Sequence, residues 1–187
     1  MIYLKDNFLP DIILNSIEKY LVDFKEVDTG EKKFWVMDTP IEFQKWIINK
    51  ISIIENKQIK DVFSFFRIST DKLDTDWRIH CDSIIQEFIP ERALVLYLSK
   101  SPYKELRGTA FWEHHKYGEY LRTKYLNTDV YNDLIKNDAN DLNKWKLKSV
   151  IGLNKNRLVS WPANYFHSKY PNKSWEKGRK IFVMFYK

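Results

Sequence analysis

Apolar positions follow a helical spacing in the first third of the chain and a short β-type spacing after it, and this change of period organises the sequence. Behind Leu9-Pro10-Asp11, residues Ile12, Ile13, Ile17, Tyr20 and Leu21 recur every three to four positions, which predicts a helix over 10–22 with Pro10 near its first turn. After a turn at Thr29-Gly30-Glu31, the run Phe34-Trp35-Val36-Met37 predicts a strand. Thr39-Pro40 then opens a second helix through Phe43, Trp46, Ile47, Ile51 and Ile54. From position 62 the pattern changes to runs rich in β-branched and aromatic residues, at 62–69, 77–82, 93–99, 109–113, 147–153, 157–161 and 180–186. Seven strands in succession predict a sandwich or jelly roll.

Between 118 and 145 the β pattern lapses. Leu121, Tyr125, Leu126, Val130, Tyr131, Leu134 and Ile135 fit one or two short helices, so this stretch reads as an insertion between strands, either a cover for a site or a surface decoration. No internal repeat, heptad array or linker divides the chain, and the expectation is a single domain over 1–187.

Composition narrows the chemistry. With 44% hydrophobic and 16% aromatic residues, a chain of 187 residues can bury a sizeable core. A net charge of +6 suits anionic ligands, nucleic acid or plain solubility. No run approaches the roughly 20 apolar residues of a membrane helix, and the first residues lack a basic-then-apolar leader, which leads to the expectation of a cytoplasmic protein without membrane contact. Cys81 is the only cysteine, so an internal disulfide and a thiolate zinc cage are both excluded, and histidine and carboxylate must supply any metal site.

The candidate metal ligands are His80, Asp82 and His167. On a strand, residues i and i+2 point the same way, so His80 and Asp82 can share one ion while Cys81 faces the other side. Two imidazoles and one carboxylate on one face of an octahedral ion, with the remaining positions open, are the ligand set of a non-haem Fe(II) oxygenase. His167 follows an apolar strand and a Pro-containing turn that could return the chain to the same end of the sheet. Twelve positions later, Arg179 opens the last strand after Gly178, where its guanidinium can grip a carboxylate bidentately.

The order His-x-Asp, a distal His-Ser after an Arg-Leu-Val strand, and Gly-Arg opening the last strand resembles the Fe(II)/2-oxoglutarate-dependent dioxygenases. The segment Arg107-Gly108-Thr109-Ala110-Phe111-Trp112-Glu113-His114-His115 also resembles a Gly-Thr-x-Phe-aromatic-x-His segment of small prolyl-4-hydroxylase-like members from bacteria and phages. The resemblance covers about residues 62–187. It implies a double-stranded β-helix (a mainly β, cupin-like jelly roll) with supporting N-terminal helices, and Fe(II) held by His80, Asp82 and His167. It further implies 2-oxoglutarate anchored by Arg179, use of O₂, and hydroxylation with release of succinate and CO₂. The implied substrate is a peptidyl residue or an amino acid.

Other positions carry two readings each. Tyr97 is either a hydroxyl donor to the co-substrate carboxylate or a core tyrosine, and Ser168 and Asn156 are candidates for supporting hydrogen bonds. Arg67, Trp112 and His114 are candidate substrate contacts, while Phe65, Phe66, Trp77 and Arg78 either line a pocket or fill the core. Lys169, Lys173, Lys177 and Lys180, interleaved with Tyr170 and Trp175, fit a nucleic-acid contact or a solvated loop. A nucleic-acid-modifying oxygenase and a non-catalytic cupin-like metal-binding module are the alternatives to the hydroxylase; the pattern leaves oligomeric state open.

Overall fold

The structure, a computed structural model, describes residues 1–29, 33–74, 76–85, 88–101, 107–126, 128–171, 175 and 178–187. The chain runs β1 (Tyr3–Lys5), α1 (Asp11–Tyr20), β2 (Lys25–Asp28), β3 (Lys33–Asp38), α2 (Ile41–Glu55), β4 (Phe63–Ser69), β5 (Arg92–Tyr97), β6 (Gly108–His114), α3 (Asp129–Asp133), β7 (Trp145–Gly152), β8 (Leu158–Pro162), β9 (His167–Tyr170) and β10 (Arg179–Tyr186). A large sheet has the order β1-β8-β5-β10-β4-β3-β2, and a small one the order β7-β6-β9. Every pairing is antiparallel. The two sheets face each other as a double-stranded β-helix with flanking helices.

Strand alternation explains how one large sheet serves two cores. On β5 and β10, Leu94, Leu96, Phe182, Met184 and Tyr186 point outward and pack on Leu14 and Ile17 of α1 and Phe43, Ile47 and Ile51 of α2. The alternate residues Ala93, Val95, Tyr97, Ile181, Val183 and Phe185 point inward toward Phe111, Val159 and Trp161. Burial on both faces is why these two strands read as unbroken apolar runs. Both helices begin directly after a proline, and α2 ends at Asn56 in the left-handed conformation, as helix punctuation requires.

The insertion has a structural task. A single 3₁₀ turn at Thr123–Tyr125, α3, a wider turn at Leu134–Asp138 and another 3₁₀ turn at Leu142–Lys144 bring Leu121 and Leu134 against Ile79, Cys81, Ala110, Trp112, Trp145 and Phe166. It therefore buries the outer face of the small sheet, as α1 and α2 bury that of the large one.

Three strands were not expected. β1, β2 and β9 are short and largely polar, and their backbones pair with β8, β3 and β6 without an apolar alternation to announce them. Conversely, the strand expected over 77–82 is not a ladder. Its N–H groups go to three separate places, Ile79 to Ala139 O, His80 to His167 O and Asp82 to Ala163 O, so only His80 forms a β-bridge. Among the described residues, no helix is long and apolar enough to cross a membrane.

Candidate metal centre

That single bridge brings the candidate metal ligands together. His80 and His167 exchange both backbone hydrogen bonds, at 3.0 and 2.8 Å, and directly opposed residues of an antiparallel pair project to one face. Asp82, two residues on, joins them there. Its carboxylate lies 3.2 Å from His167 Nε2 and 3.7 Å from His80 Nε2, and one ligand atom from each of the three residues falls within 4.8 Å of the others. Cys81 faces the opposite way, buried, and burial pushes its thiol up to about 11, so it remains protonated.

The imidazoles are held for ligation. His80 Nδ1 lies 2.8 Å from Arg78 O, and His167 Nδ1 lies 2.9 Å from Tyr165 O. A carbonyl can only accept, so each Nδ1 donates there and each Nε2 is left facing Asp82. Trp161 packs edge-on against His167 at 4.9 Å, and Phe111 lies 6.3 Å from it.

A second cluster is built from side chains of β5, β6 and β10. Arg179 is 5% exposed, its guanidinium lies 5.6 Å over Tyr97 and 5.8 Å over Trp175, and its Nη2 makes a long 3.4 Å contact to Thr109 Oγ1. Among the described residues, its Nε has no hydrogen-bond partner and no carboxylate pairs with it. Tyr97 donates its hydroxyl to Thr109 at 2.7 Å, and burial raises its pKa despite the opposing Arg179 charge. A buried guanidinium with an orphaned donor, flanked by two hydroxyls, has the chemistry to accept an anionic ligand group.

Both anchors follow glycines that the backbone requires. A Cβ at Gly108 would meet Ile151 O at 2.0 Å, so only glycine lets β6 approach β7 closely enough to place Thr109. Gly178, at φ +76°, turns the chain into β10 at Arg179.

The remaining candidates lie elsewhere. Arg67 faces the interior but holds Asp74 through two hydrogen bonds; burial opposes its charge, yet the Asp74 contacts raise its pKa overall. Trp112 and Ser168 bond to each other at 2.9 Å, and the strand parity that turns His167 inward turns Ser168 outward. His114 is buried against Trp145 and hydrogen-bonds Asp138 of the insertion at 3.1 Å; burial lowers its pKa. Asn156 ties the backbone of Leu9 to the turn before β8.

The C-terminal basic cluster is not a continuous surface. Lys169 is directed inward from β9, Lys180 donates to Leu21 O, Tyr170 packs on Trp112 and Trp175 is buried. Lys173 and Lys177 lie outside the described residues. Sequence reading missed Thr109, Asp74 and Trp175 as parts of the site. The glycine before Thr109 and the parity of β9 were the available signals for Thr109 and Lys169.

Fold and site together define a double-stranded β-helix carrying a His-Asp-His constellation beside a buried arginine. No family model matches the sequence, and no curated protein matches it. Solved structures do share the fold. HygX from Streptomyces hygroscopicus, with nickel, 2-oxoglutarate and hygromycin B bound, is 12% identical with a TM-score of 0.61, over 99% of this chain and 82% of that one. A prolyl-4-hydroxylase from Pseudomonas putida is 10% identical with a TM-score of 0.58, over 100% and 91%. The non-haem α-ketoglutarate-dependent carbocyclase SnoK of nogalamycin biosynthesis is 13% identical with a TM-score of 0.62, over 99% and 78%. These structural neighbours are iron- and 2-oxoglutarate-dependent oxygenases.

Proposed function

We propose that this protein is an Fe(II)/2-oxoglutarate-dependent oxygenase that hydroxylates a peptidyl residue or an amino acid. The observation that carries the reading is the pairing of two features in one interior: a His80-Asp82-His167 set with both Nε2 atoms turned toward the Asp82 carboxylate, and a buried Arg179 that has no carboxylate partner among the described residues. A cupin-like metal module would need the first and have no use for the second.

The donor set fits Fe(II), since two neutral imidazoles and one carboxylate leave half of an octahedral ion open. When bound, the iron would supply the O₂-activating chemistry that couples decarboxylation of 2-oxoglutarate to oxidation of a substrate C–H bond. The chain's own residues do the rest. Arg78 O and Tyr165 O fix the tautomers, so the ligands need no reorganisation when the metal enters. Arg179, with the hydroxyls of Thr109 and Tyr97, would hold the distal carboxylate and so orient the keto acid toward the metal. Phe111 and Trp161 wall the site and exclude water beside His167. The prolyl-4-hydroxylase among the similar structures and the motif order support the peptidyl or amino-acid substrate.

Succinate formation tests the reading. Incubation with Fe(II), 2-oxoglutarate and O₂ should release succinate above the protein-free rate, and Asp82→Ala should abolish the excess; equal rates in both proteins would sink it.

A further inference from the structure

Lys169 is the interior residue that the proposed oxygenase leaves unexplained. It stands two positions after His167 on β9, so its side chain leaves the strand on the same face as the metal ligand. The register places it directly across from Thr109, while His167 lies across from Phe111. Two residues of strand separate those levels by about 7 Å. One level is therefore the metal's; the other holds Lys169, Thr109 and the Arg179 guanidinium that Thr109 contacts.

Among the described residues, the cations on this second level are unequally partnered. Arg67 is matched by Asp74. Arg179 and Lys169 have no carboxylate partner among the described residues, and the Lys169 ammonium makes one hydrogen bond, 2.8 Å to the backbone carbonyl of Asp74. An ammonium has three donors, so two remain to be used. Partly buried like charges without a counter-ion are costly, and an anionic ligand relieves that cost.

We propose that Lys169 is a second anion-recognition residue: its ammonium joins Arg179 on the distal carboxylate of the keto acid, so the chamber selects a 2-oxo diacid over a 2-oxo monoacid. This rests on the reading of the site as one for Fe(II) and 2-oxoglutarate. The competing role is purely structural, with Lys169 serving only to tether Asp74 and the segment after β4.

Two substitutions separate the roles. Lys169→Gln keeps a donor for the Asp74 carbonyl and removes the charge, whereas Lys169→Arg keeps the charge. Fe(II)-loaded wild type and both variants are titrated under nitrogen by calorimetry with 2-oxoglutarate and with 2-oxopentanoate, which lacks the distal carboxylate. The expected result is a loss of about tenfold or more in 2-oxoglutarate affinity for Lys169→Gln, retention within about threefold for Lys169→Arg, and equally weak 2-oxopentanoate binding in all three. Wild-type affinity in Lys169→Gln, or an equal loss in both variants, overturns the role of Lys169 and leaves the oxygenase reading standing. A wild type that binds no 2-oxoglutarate overturns both.

Discussion

Thr109 shows how much of the site turns on single positions. Its hydroxyl accepts from Tyr97 and contacts Arg179, and it stands where Gly108 lets β6 press against the Ile151 carbonyl. Thr109→Val, nearly equal in shape, should weaken 2-oxoglutarate binding by about tenfold to a hundredfold, the worth of a hydrogen bond to a charged group, without moving iron affinity. Paired titrations of metal and keto acid would check this; a parallel loss of both would mean the variant disturbs the fold instead. Gly108→Ala should fail differently. Its Cβ meets backbone, not a flexible side chain, so thermal unfolding should show a clear loss of stability together with loss of keto-acid binding. The candidate metal ligands could be grouped from the sequence because His80 and Asp82 obey strand parity and His167 follows a strand and turn. Lys169 was hidden by its neighbours: grouped with Lys173 and Lys177 it looks like a basic surface, and only its parity with His167 points it inward.

The elements of the outer layers do different work from those of the interior. Strands β5 and β10 could be read from sequence because both faces are buried, while β1, β2 and β9 could not, because backbone pairing alone holds short polar segments. The expected strand at 77–82 failed for the opposite reason, its apolar residues being packed against the insertion and not a ladder partner. The insertion is thus the support behind the metal ligands, and His114 fastens it through Asp138. This gives a pH prediction. Burial holds the His114 pKa below its ordinary 6.5, so the unfolded chain binds the proton more readily, and stability that is present above that value falls as the pH drops through it. Urea denaturation at pH 7.5 and 5.5 should show a larger loss of stability in the wild type than in His114→Gln. Equal losses would place the acid sensitivity elsewhere.

At the scale of the molecule, two cores share one sheet. The helix-facing core should be separable from the chemistry: Phe182→Ala should destabilise by about 3–5 kcal/mol, yet the fraction that remains folded should bind iron normally. The inward face is built around charge, with the metal ligands on one level and Arg179 on the next, and that arrangement is the central claim. Its most direct measurement is anaerobic titration of the Fe(II)-loaded protein with 2-oxoglutarate, following the visible absorption of the chelated keto acid. The wild type should show a saturable band, Asp82→Ala none, and Arg179→Ala a band that needs far higher 2-oxoglutarate. A wild type that binds iron but develops no band at any concentration would contradict that claim.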